Sequence, residues 1–208
     1  MREKNVIDYY VTCNKLKNVI RKGWQDWNVT KDRVESVAEH VYSTQMLALA
    51  IYSEYEYDLD INKVIMMLAI HELGEAIIGD LTLFDIDKNE KEKMEHEAVH
   101  KILEPLKIGS KLESLFLEFD AHETKEAKFA YLCDKFEADL QSKLYDEENC
   151  VDLHNQKDNK SFYDEDVQDL LKKGYSFSDM WLEFGQRRYP YDENFIALSN
   201  YVRDNEIE

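Results

Sequence analysis

The sequence predicts an all-α protein, and three observations support this fold class. Only two prolines and six glycines occur in 208 residues, so long uninterrupted elements are expected. Apolar residues recur at helical spacing along most of the chain, and no stretch alternates apolar and polar residues over the length of a strand. Apolar residues make up 44% of the chain, which is enough for a hydrophobic core.

The apolar periodicity also places the individual elements. The predicted helices cover, in chain order, residues 5–17, 34–55, 61–77, 90–103, 110–119, 124–145, 166–173, 178–188 and 192–203. Residues 21–36, RKGWQDWNVTKDRVES, form an irregular segment with two tryptophans, and the polar, acidic residues 147–166 predict a loop or a mobile excursion. We expect one domain over residues 1–208, with its core at about 5–145, a polar loop at about 147–165 and C-terminal helices at about 166–205.

The charge balance excludes two classes of partner. Aspartate and glutamate number 44 against 26 lysines and arginines, which gives a formal net charge of −18. Such a chain has no surplus of cations to neutralise nucleic-acid phosphates or an anionic membrane surface, so we expect neither as a partner. It can still hydrolyse a phosphate compound if a bound metal supplies local positive charge.

The cysteine count and the apolar runs indicate a cytoplasmic protein. The three cysteines are few, odd in number and widely spaced, which is typical of a reducing compartment rather than of a disulfide framework. The first residues, MREKNVIDYYVTC, show no signal-peptide pattern. No apolar run approaches the roughly 20 residues of a membrane-spanning helix.

Three of the predicted helices carry polar residues on the stripe that should face the core. The residues concerned are His40, His71 with the adjacent Glu72, and Asp134. One buried histidine or aspartate is usually satisfied by a hydrogen bond or an arginine. Several together, with no arginine on the same faces, indicate a metal site, because buried charges are paired or bind metal. Two imidazoles and two carboxylates suit Mn, Fe, Co, Ni or Zn better than Ca or Mg alone.

The order of these residues resembles the H…HD…D pattern of the HD-domain metal-dependent phosphohydrolases. The surrounding residues are similar to those of the 5′-deoxynucleotidase branch of that superfamily, over roughly residues 5–145. The similar stretches are RKGW (21–24), Asn28-Val29, ESVAEH (35–40), Glu75-Ala76 with Gly79-Asp80, and AKFAYLCDKFEADLQ (127–141).

The resemblance implies an HD-domain-like helical bundle that forms a homodimer and removes the 5′-phosphate from deoxyribonucleoside 5′-monophosphates. It implies a divalent metal cofactor, one of Co, Mn, Fe, Ni, Zn or Mg. The implied roles are metal binding by His40, His71, Glu72 and Asp134, positioning and activation of the attacking water by Glu75 and Asp80, phosphate binding by Arg21, and packing of Trp24 against the sugar.

The chain departs from the family pattern at one position. The family's second motif is His-Asp, whereas this chain has His71-Glu72. The glutamate carboxylate lies one methylene further from the backbone. Either the helix lies slightly further back, or the ligand changes its denticity, or metal binding is weaker. The departure therefore bears on metal affinity and activity more than on the fold.

Three alternatives remain open from the sequence. HELGE (71–75) resembles the zincin pattern H-E-x-x-H, but it has Glu75 where the second ligand should be. Another HD-type hydrolase, such as a cyclic-nucleotide phosphodiesterase with two metals, could use further histidines, although KEKMEHEAVHKIL (91–103) indicates a solvated helix face. A non-catalytic nucleotide-binding protein would result if Glu72 impairs the metal site. The further histidines are His96, His100 and His122.

Overall fold

The computed structural model describes residues 1–82 and 85–207, and within them the regular structure is helical. The α-helices of these ranges are α1 (Arg2–Cys13), α2 (Lys22–Asp26), α3 (Val37–Glu54), α4 (Ile61–Leu68), α5 (Glu75–Ile78), α6 (Lys88–Leu103), α7 (Gly109–Ala121), α8 (Lys125–Glu147), α9 (Glu165–Lys172), α10 (Phe177–Arg188) and α11 (Glu193–Asp204). Short 3-10 helices occupy Asn14–Asn18 and Ser161–Tyr163. The predicted all-α class is confirmed. No helix in the described ranges is both long and apolar enough to cross a membrane.

Most predicted helices are present, with ends shifted by a few residues according to their caps. The helix expected from residue 34 begins at Val37, because Ser36 and Glu39 form a capping box. The Ser36 amide donates to Glu39 Oε2 at 2.9 Å, and the Glu39 amide donates to Ser36 Oγ at 3.3 Å. This cap fixes where the first turn of α3 starts, and His40 lies in that turn.

The continuous helix predicted over 61–77 is wrong. The α-helix ends at Leu68, and the next one begins only at Glu75. Between them the chain makes tight turns, such as the one closed by the Glu75 amide donating to the Glu72 carbonyl at 3.1 Å. Apolar spacing does not distinguish these three-residue turns from an α-helix, so the pattern concealed the break.

The contacts divide the chain into two compact units. The first contains Met1–Lys22 and Glu35–Tyr131, and the second contains Gly23–Val34 and the residues from Leu132 onward. Helix α8 begins in the first unit and ends in the second. The single domain expected over 1–208 stays a prediction.

The first unit is built on α3, α4, α6 and α7. The pairs α3–α4, α4–α7 and α6–α7 are in contact, α5 packs on α6, and α1 contacts both α5 and α6. Its fully buried apolar side chains lie on the facing stripes of these helices, which places the polar residues of the same stripes inside the unit. The most buried of the apolar residues are Val37, Ala48, Val64, Met67, Leu68, Val99 and Leu103.

The second unit has an aromatic core. The segment 21–36, predicted to be irregular, contains the short helix α2, and its two tryptophans are buried. Trp24 lies 5.2 Å from Tyr145 between ring centroids, and Trp27 lies 5.2 Å from Phe177. The tryptophans thus act as core anchors of this unit.

The polar segment after α8 is a loop, as predicted, but buried amides hold it in place. Gln156 and Asn159 are 2% and 1% exposed. The Gln156 side-chain amide donates to the Trp27 carbonyl at 2.9 Å, and the Thr30 amide donates to the Cys150 carbonyl at 2.8 Å. In a loop that extended freely into solvent, the side-chain amides of Gln156 and Asn159 would be exposed to water. The loop therefore belongs to the packed structure of the second unit.

Candidate metal centre

Two buried histidines form the centre of the candidate site in the first unit. His40 is 0% exposed and His71 is 6% exposed. Their Nε2 atoms lie 3.4 Å apart, and His71 Nδ1 lies 2.8 Å from the Leu68 carbonyl oxygen. Because a carbonyl oxygen can only accept, His71 Nδ1 carries the proton, and Nε2 has the lone pair that can bind a cation.

The Glu72 carboxylate completes a three-residue ligand group in this unit. Glu72 Oε1 lies 3.8 Å from His40 Nε2 and 3.7 Å from His71 Nε2. The extra methylene of glutamate therefore does not keep the carboxylate away from the imidazoles. Glu72 Oε1 also accepts from Arg21 Nη1 at 3.2 Å.

The spacing of these three donor atoms fits a divalent metal. In a tetrahedral site with metal–nitrogen bonds of 2.0–2.1 Å, neighbouring ligand atoms lie roughly 3.4 Å apart. Two imidazole nitrogens and a carboxylate oxygen at 3.4–3.8 Å match that spacing and are a donor set for a transition metal rather than for calcium. His40, His71 and Glu72 could therefore hold the metal that the sequence predicts.

Arg21 and Asp80 lie beside this group. The Arg21 amide donates to the Glu35 carbonyl at 3.0 Å, which fixes its backbone next to the start of α3. Its Nη1 lies 3.8 Å from Asp80 Oδ2. Asp80 follows Gly79, whose φ of 78° ends α5, as expected from the sequence. The Lys22 amide donates to Asp80 Oδ2 at 2.7 Å and so orients the carboxylate.

Glu75 is a buried carboxyl with an unsatisfied oxygen. The residue is 2% exposed, and its Oε2 has no hydrogen-bond partner among the described residues. Burial, and then the negative charges of Glu72 and Asp80, raise the pKa of Glu75 well above its ordinary value of 4.5, while Arg21 and Lys91 act in the opposite direction. A raised pKa makes the ionised Glu75 carboxylate a stronger proton acceptor, which is what a general base requires.

Two residues of the first unit that the sequence did not single out interact with this group. Lys91 Nζ lies 3.4 Å from Glu95 Oε1, and the two side chains are partly buried, at 24% and 21% exposed. They lie on the stripe that Ala98 and Ile102 continue toward the C-terminus of α6. Extending the buried stripe by one and two turns would have found them, but the many charged neighbours in α6 masked that signal.

The remaining predicted site residues lie in the second unit. Asp134, on α8, is 5% exposed, and its Oδ2 lies 2.8 Å from Lys135 Nζ. Its inward position is as predicted, and its role as a ligand stays a prediction. Trp24 is 2% exposed and packs against Tyr145 and Trp181, so most of its ring surface is used by the core, and its sugar contact also stays a prediction.

The additional histidines have carboxylate or aromatic neighbours. His96 Nε2 lies 2.9 Å from Asp120 Oδ2, and with Glu92 these residues form a second, more exposed group that could hold a cation. His100 Nδ1 lies 2.9 Å from Glu113 Oε1. His122 ends α7 in the left-handed region and lies 4.0 Å from the Tyr131 ring. The side chains of His96 and His100 are 33% and 59% exposed, as the solvated-face interpretation expects.

The local backbone disfavours the zincin alternative. A zincin needs its H-E-x-x-H residues on one helix so that two histidines face the metal. Here His71–Gly74 form turns, and Glu75 occupies the position of the second histidine.

Comparison with known proteins shows the family to which this chain is similar. Residues 13–173 match the HD domain family. The 5′-deoxynucleotidase HDDC2 of Dictyostelium discoideum is 33% identical over 168 residues, covering 77% of this chain and 87% of that protein. The 5′-deoxynucleotidase HDDC2 of Bos taurus is 30% identical over 165 residues, covering 77% and 76%.

A solved structure agrees with the sequence relatives. A conserved hypothetical protein from Pyrococcus furiosus superposes with a TM-score of 0.68 at 25% identity, over 96% of this chain and 99% of that one. The resemblance inferred from the order of His40, His71, Glu72 and Asp134 is confirmed at the level of the family. The chain belongs to the HD domain family.

Proposed function

We propose that the protein is a metal-dependent phosphomonoester hydrolase that removes the 5′-phosphate from deoxyribonucleoside 5′-monophosphates. One observation supports the proposal most strongly. The same unit contains a group of ligand atoms spaced to hold a cation and a buried carboxyl, Glu75, with an oxygen that has no hydrogen-bond partner among the described residues. Relatives that cover most of the chain are named 5′-deoxynucleotidases, which supports this substrate class.

The metal would be held by His40, His71, Glu72 and Asp134. The first three have the donor spacing described above. The resemblance supports Asp134, which is 5% exposed, as the fourth ligand. When bound, a divalent cation supplies Lewis-acid activation of the phosphoryl group and of water. Co, Mn, Fe, Ni, Zn and Mg remain candidates, of which the mixed nitrogen and oxygen set favours the transition metals.

The other residues would position and activate the reactants. Glu75 accepts the proton of the attacking water, because burial and the neighbouring negative charges raise its pKa and make its carboxylate a stronger base. Asp80, oriented by the Lys22 amide, fixes the direction of that water. Arg21 binds phosphoryl oxygens with the guanidinium that contacts Glu72 in this structure. Trp24 is proposed to bound the sugar.

The direct test is phosphate release from a panel of nucleotides. Purified protein is incubated with Co²⁺, Mn²⁺ or Mg²⁺ and with deoxyribonucleoside 5′-monophosphates, 3′-monophosphates, ribonucleotides and cyclic nucleotides, while bound metal is counted. We expect turnover of the 5′-deoxyribonucleotides and none after His71→Asn.

Stoichiometric metal without turnover would favour the nucleotide-binding alternative, and two metals per chain with cyclic-nucleotide hydrolysis would favour the phosphodiesterase. Activity that appears only in Glu72→Asp would mean that the glutamate impairs the site.

We further propose a cytoplasmic homodimer that binds neither nucleic acid nor membranes. Three free cysteines support a reducing compartment. One face of α3 exposes Tyr42, Met46 and Leu49 at spacings of one helical turn, which is the kind of apolar stripe that a second copy covers. Light scattering of the wild type and of Met46→Glu measures the oligomeric state, and a wild-type monomer would contradict the proposal.

A further inference from the structure

Helix α6, which carries Lys91, lies next to the turn that carries Glu72. A Cβ added to Gly74 would lie 3.2 Å from the Glu95 carbonyl oxygen and 3.4 Å from its Cα, so α6 approaches this turn more closely than a side chain would comfortably allow. Lys91 lies one helical turn before Glu95, and its ammonium is bound to the Glu95 carboxylate at 3.4 Å. The glycine of HELGE thereby brings a cation of α6 to the candidate site.

The electrostatic neighbours of Lys91 are the carboxylates of that site. It interacts with Glu72, Glu75 and Asp80 in addition to Glu95. Burial acts to lower the pKa of Lys91, and the charges of these carboxylates act to raise it, with a net upward direction. An ammonium is in any case the ordinary form of a lysine at neutral pH. Arg21 is the other cation that acts on Glu75, which places Glu75 within reach of two positive groups.

The chemistry of the substrate requires such a cation. A phosphate monoester carries up to two negative charges, and in this unit it would have to bind among the four carboxylates Glu72, Glu75, Asp80 and Glu95. One divalent metal and one arginine leave little positive charge for the substrate itself. An ammonium has three N–H donors, and the Glu95 pair uses only one of them, so donors remain for phosphoryl oxygens.

We propose that Lys91 is a second phosphate-binding residue of the candidate metal centre, acting together with Arg21. The inference rests on the proposed phosphomonoester hydrolase function. It assigns a substrate contact to a helix whose sequence indicates only a solvated surface. Before the substrate binds, the Lys91 ammonium is held by its ion pair with Glu95.

The experiment compares Lys91→Met with Lys93→Met in the full chain with added Co²⁺ or Mn²⁺. Lys93 is a matched control, because it lies on the same helix and makes the same kind of pair with Glu97 at 3.9 Å, but it is 76% exposed. Binding of inorganic phosphate is measured by calorimetry, and KM and kcat are measured with a deoxyribonucleoside 5′-monophosphate. Circular dichroism checks that each variant is folded.

We expect Lys91→Met to weaken phosphate binding and raise KM by about tenfold or more, the usual effect of losing a hydrogen bond to a charged group. Lys91→Arg should restore most of the affinity, and Lys93→Met should match the wild type. A Lys91→Met protein that binds phosphate like Lys93→Met, or a wild type that binds no phosphate, would overturn the proposal. If the wild type binds phosphate through Lys91 but hydrolyses no nucleotide, the proposed function fails while the assignment of Lys91 stands.

Discussion

Each unit contains a buried carboxyl with a raised pKa, but the two carboxyls have different surroundings. Glu75 in the first unit is 2% exposed and Asp139 in the second is 1% exposed. Burial is the largest cause of the raised pKa in both. Asp139 Oδ2 accepts a hydrogen bond from the Tyr191 hydroxyl at 2.9 Å, and Lys135 also lowers its pKa. Glu75 Oε2, by contrast, finds no hydrogen-bond partner in the part of the chain that the structure describes, and two carboxylates act on it.

The difference is the one expected between a structural carboxyl and the proton acceptor proposed for the reaction. Burial alone raises a carboxyl pKa wherever it occurs, so a raised pKa does not identify a catalytic group. The unsatisfied oxygen of Glu75 and the like charges of Glu72 and Asp80 raise the free energy of the folded protein, and this carboxyl lies in the same unit as the imidazoles of His40 and His71. Asp139 instead connects α8 to Tyr191 and to Gly185 of α10, which is a packing role.

The strongest test of this difference replaces each carboxyl by its amide. We expect Glu75→Gln to lower kcat for phosphate release by roughly 10²–10⁴-fold, because the group that exchanges the proton of the attacking water is lost. Asp139→Asn should leave kcat near the wild-type value, provided that circular dichroism shows both variants folded. Comparable activity losses in the two variants would remove the distinction between the carboxyls.

Metal binding gives the next largest expected effect. A cation that binds only the folded protein stabilises it, by ~2.7 kcal/mol at 100 times the dissociation constant. We therefore expect Co²⁺ or Mn²⁺ to raise the melting temperature of the wild type and of Asp139→Asn by the same amount, and a chelator to reverse the rise.

His71→Asn is the variant that should abolish this shift, because it removes one of the two imidazoles. Differential scanning fluorimetry with and without metal measures it. A shift that persists in His71→Asn would place the cation elsewhere, for example at the group formed by Glu92, His96 and Asp120.

The contrast between the two carboxyls also shows what the sequence could predict. His40, His71 and Asp134 were recognisable because each interrupts an apolar stripe, and their burial is confirmed. Lys91 and Glu95 also lie in line with the apolar stripe of α6. The surrounding lysines and glutamates of this helix make that stripe hard to recognise in the sequence.

Backbone features were the least accessible to prediction from the sequence. The turns of residues 69–74 have the apolar spacing of a helix, and the Lys22 amide that orients Asp80 carries no side-chain signal at all. Both depend on how the chain is folded locally, whereas periodicity reports only which side chains are buried.

The packing role of Asp139 predicts a stability effect at Gly185. A Cβ at Gly185 would lie 2.3 Å from Asp139 Oδ2 and 3.0 Å from its Cγ, and the carboxyl is held in place by the Tyr191 hydroxyl. We expect Gly185→Ala to lower the free energy of unfolding by about 1–3 kcal/mol. Gly23→Ala is the control in the same unit, because a Cβ there meets no atom within 4 Å. Urea denaturation measures both, and equal midpoints would show that Asp139 is not tightly packed.

The smallest expected effect is the pH dependence of stability that Asp139 contributes. Its pKa in the folded protein lies well above the ordinary value of 3.8 that applies to the unfolded chain. Between these two values the folded protein holds a proton that the unfolded chain has already released, so the free energy of unfolding falls as the pH rises through this window and is level above it. The amide introduced by Asp139→Asn cannot ionise, so this variant should lack the fall.

Glu75 contributes a fall of the same sign, so the comparison is made in the Glu75→Gln background, without metal. Urea denaturation of Glu75→Gln and of Glu75→Gln/Asp139→Asn from about pH 4 to about pH 8 spans the acid range and the neutral range. The single variant should lose stability toward neutral pH, and the double variant should lose less. If the two curves were parallel, the Tyr191 hydrogen bond and Lys135 would fully offset the effect of burial on the pKa of Asp139. Glu75 would then be the only one of the two carboxyls that lowers the free energy of unfolding as the pH rises.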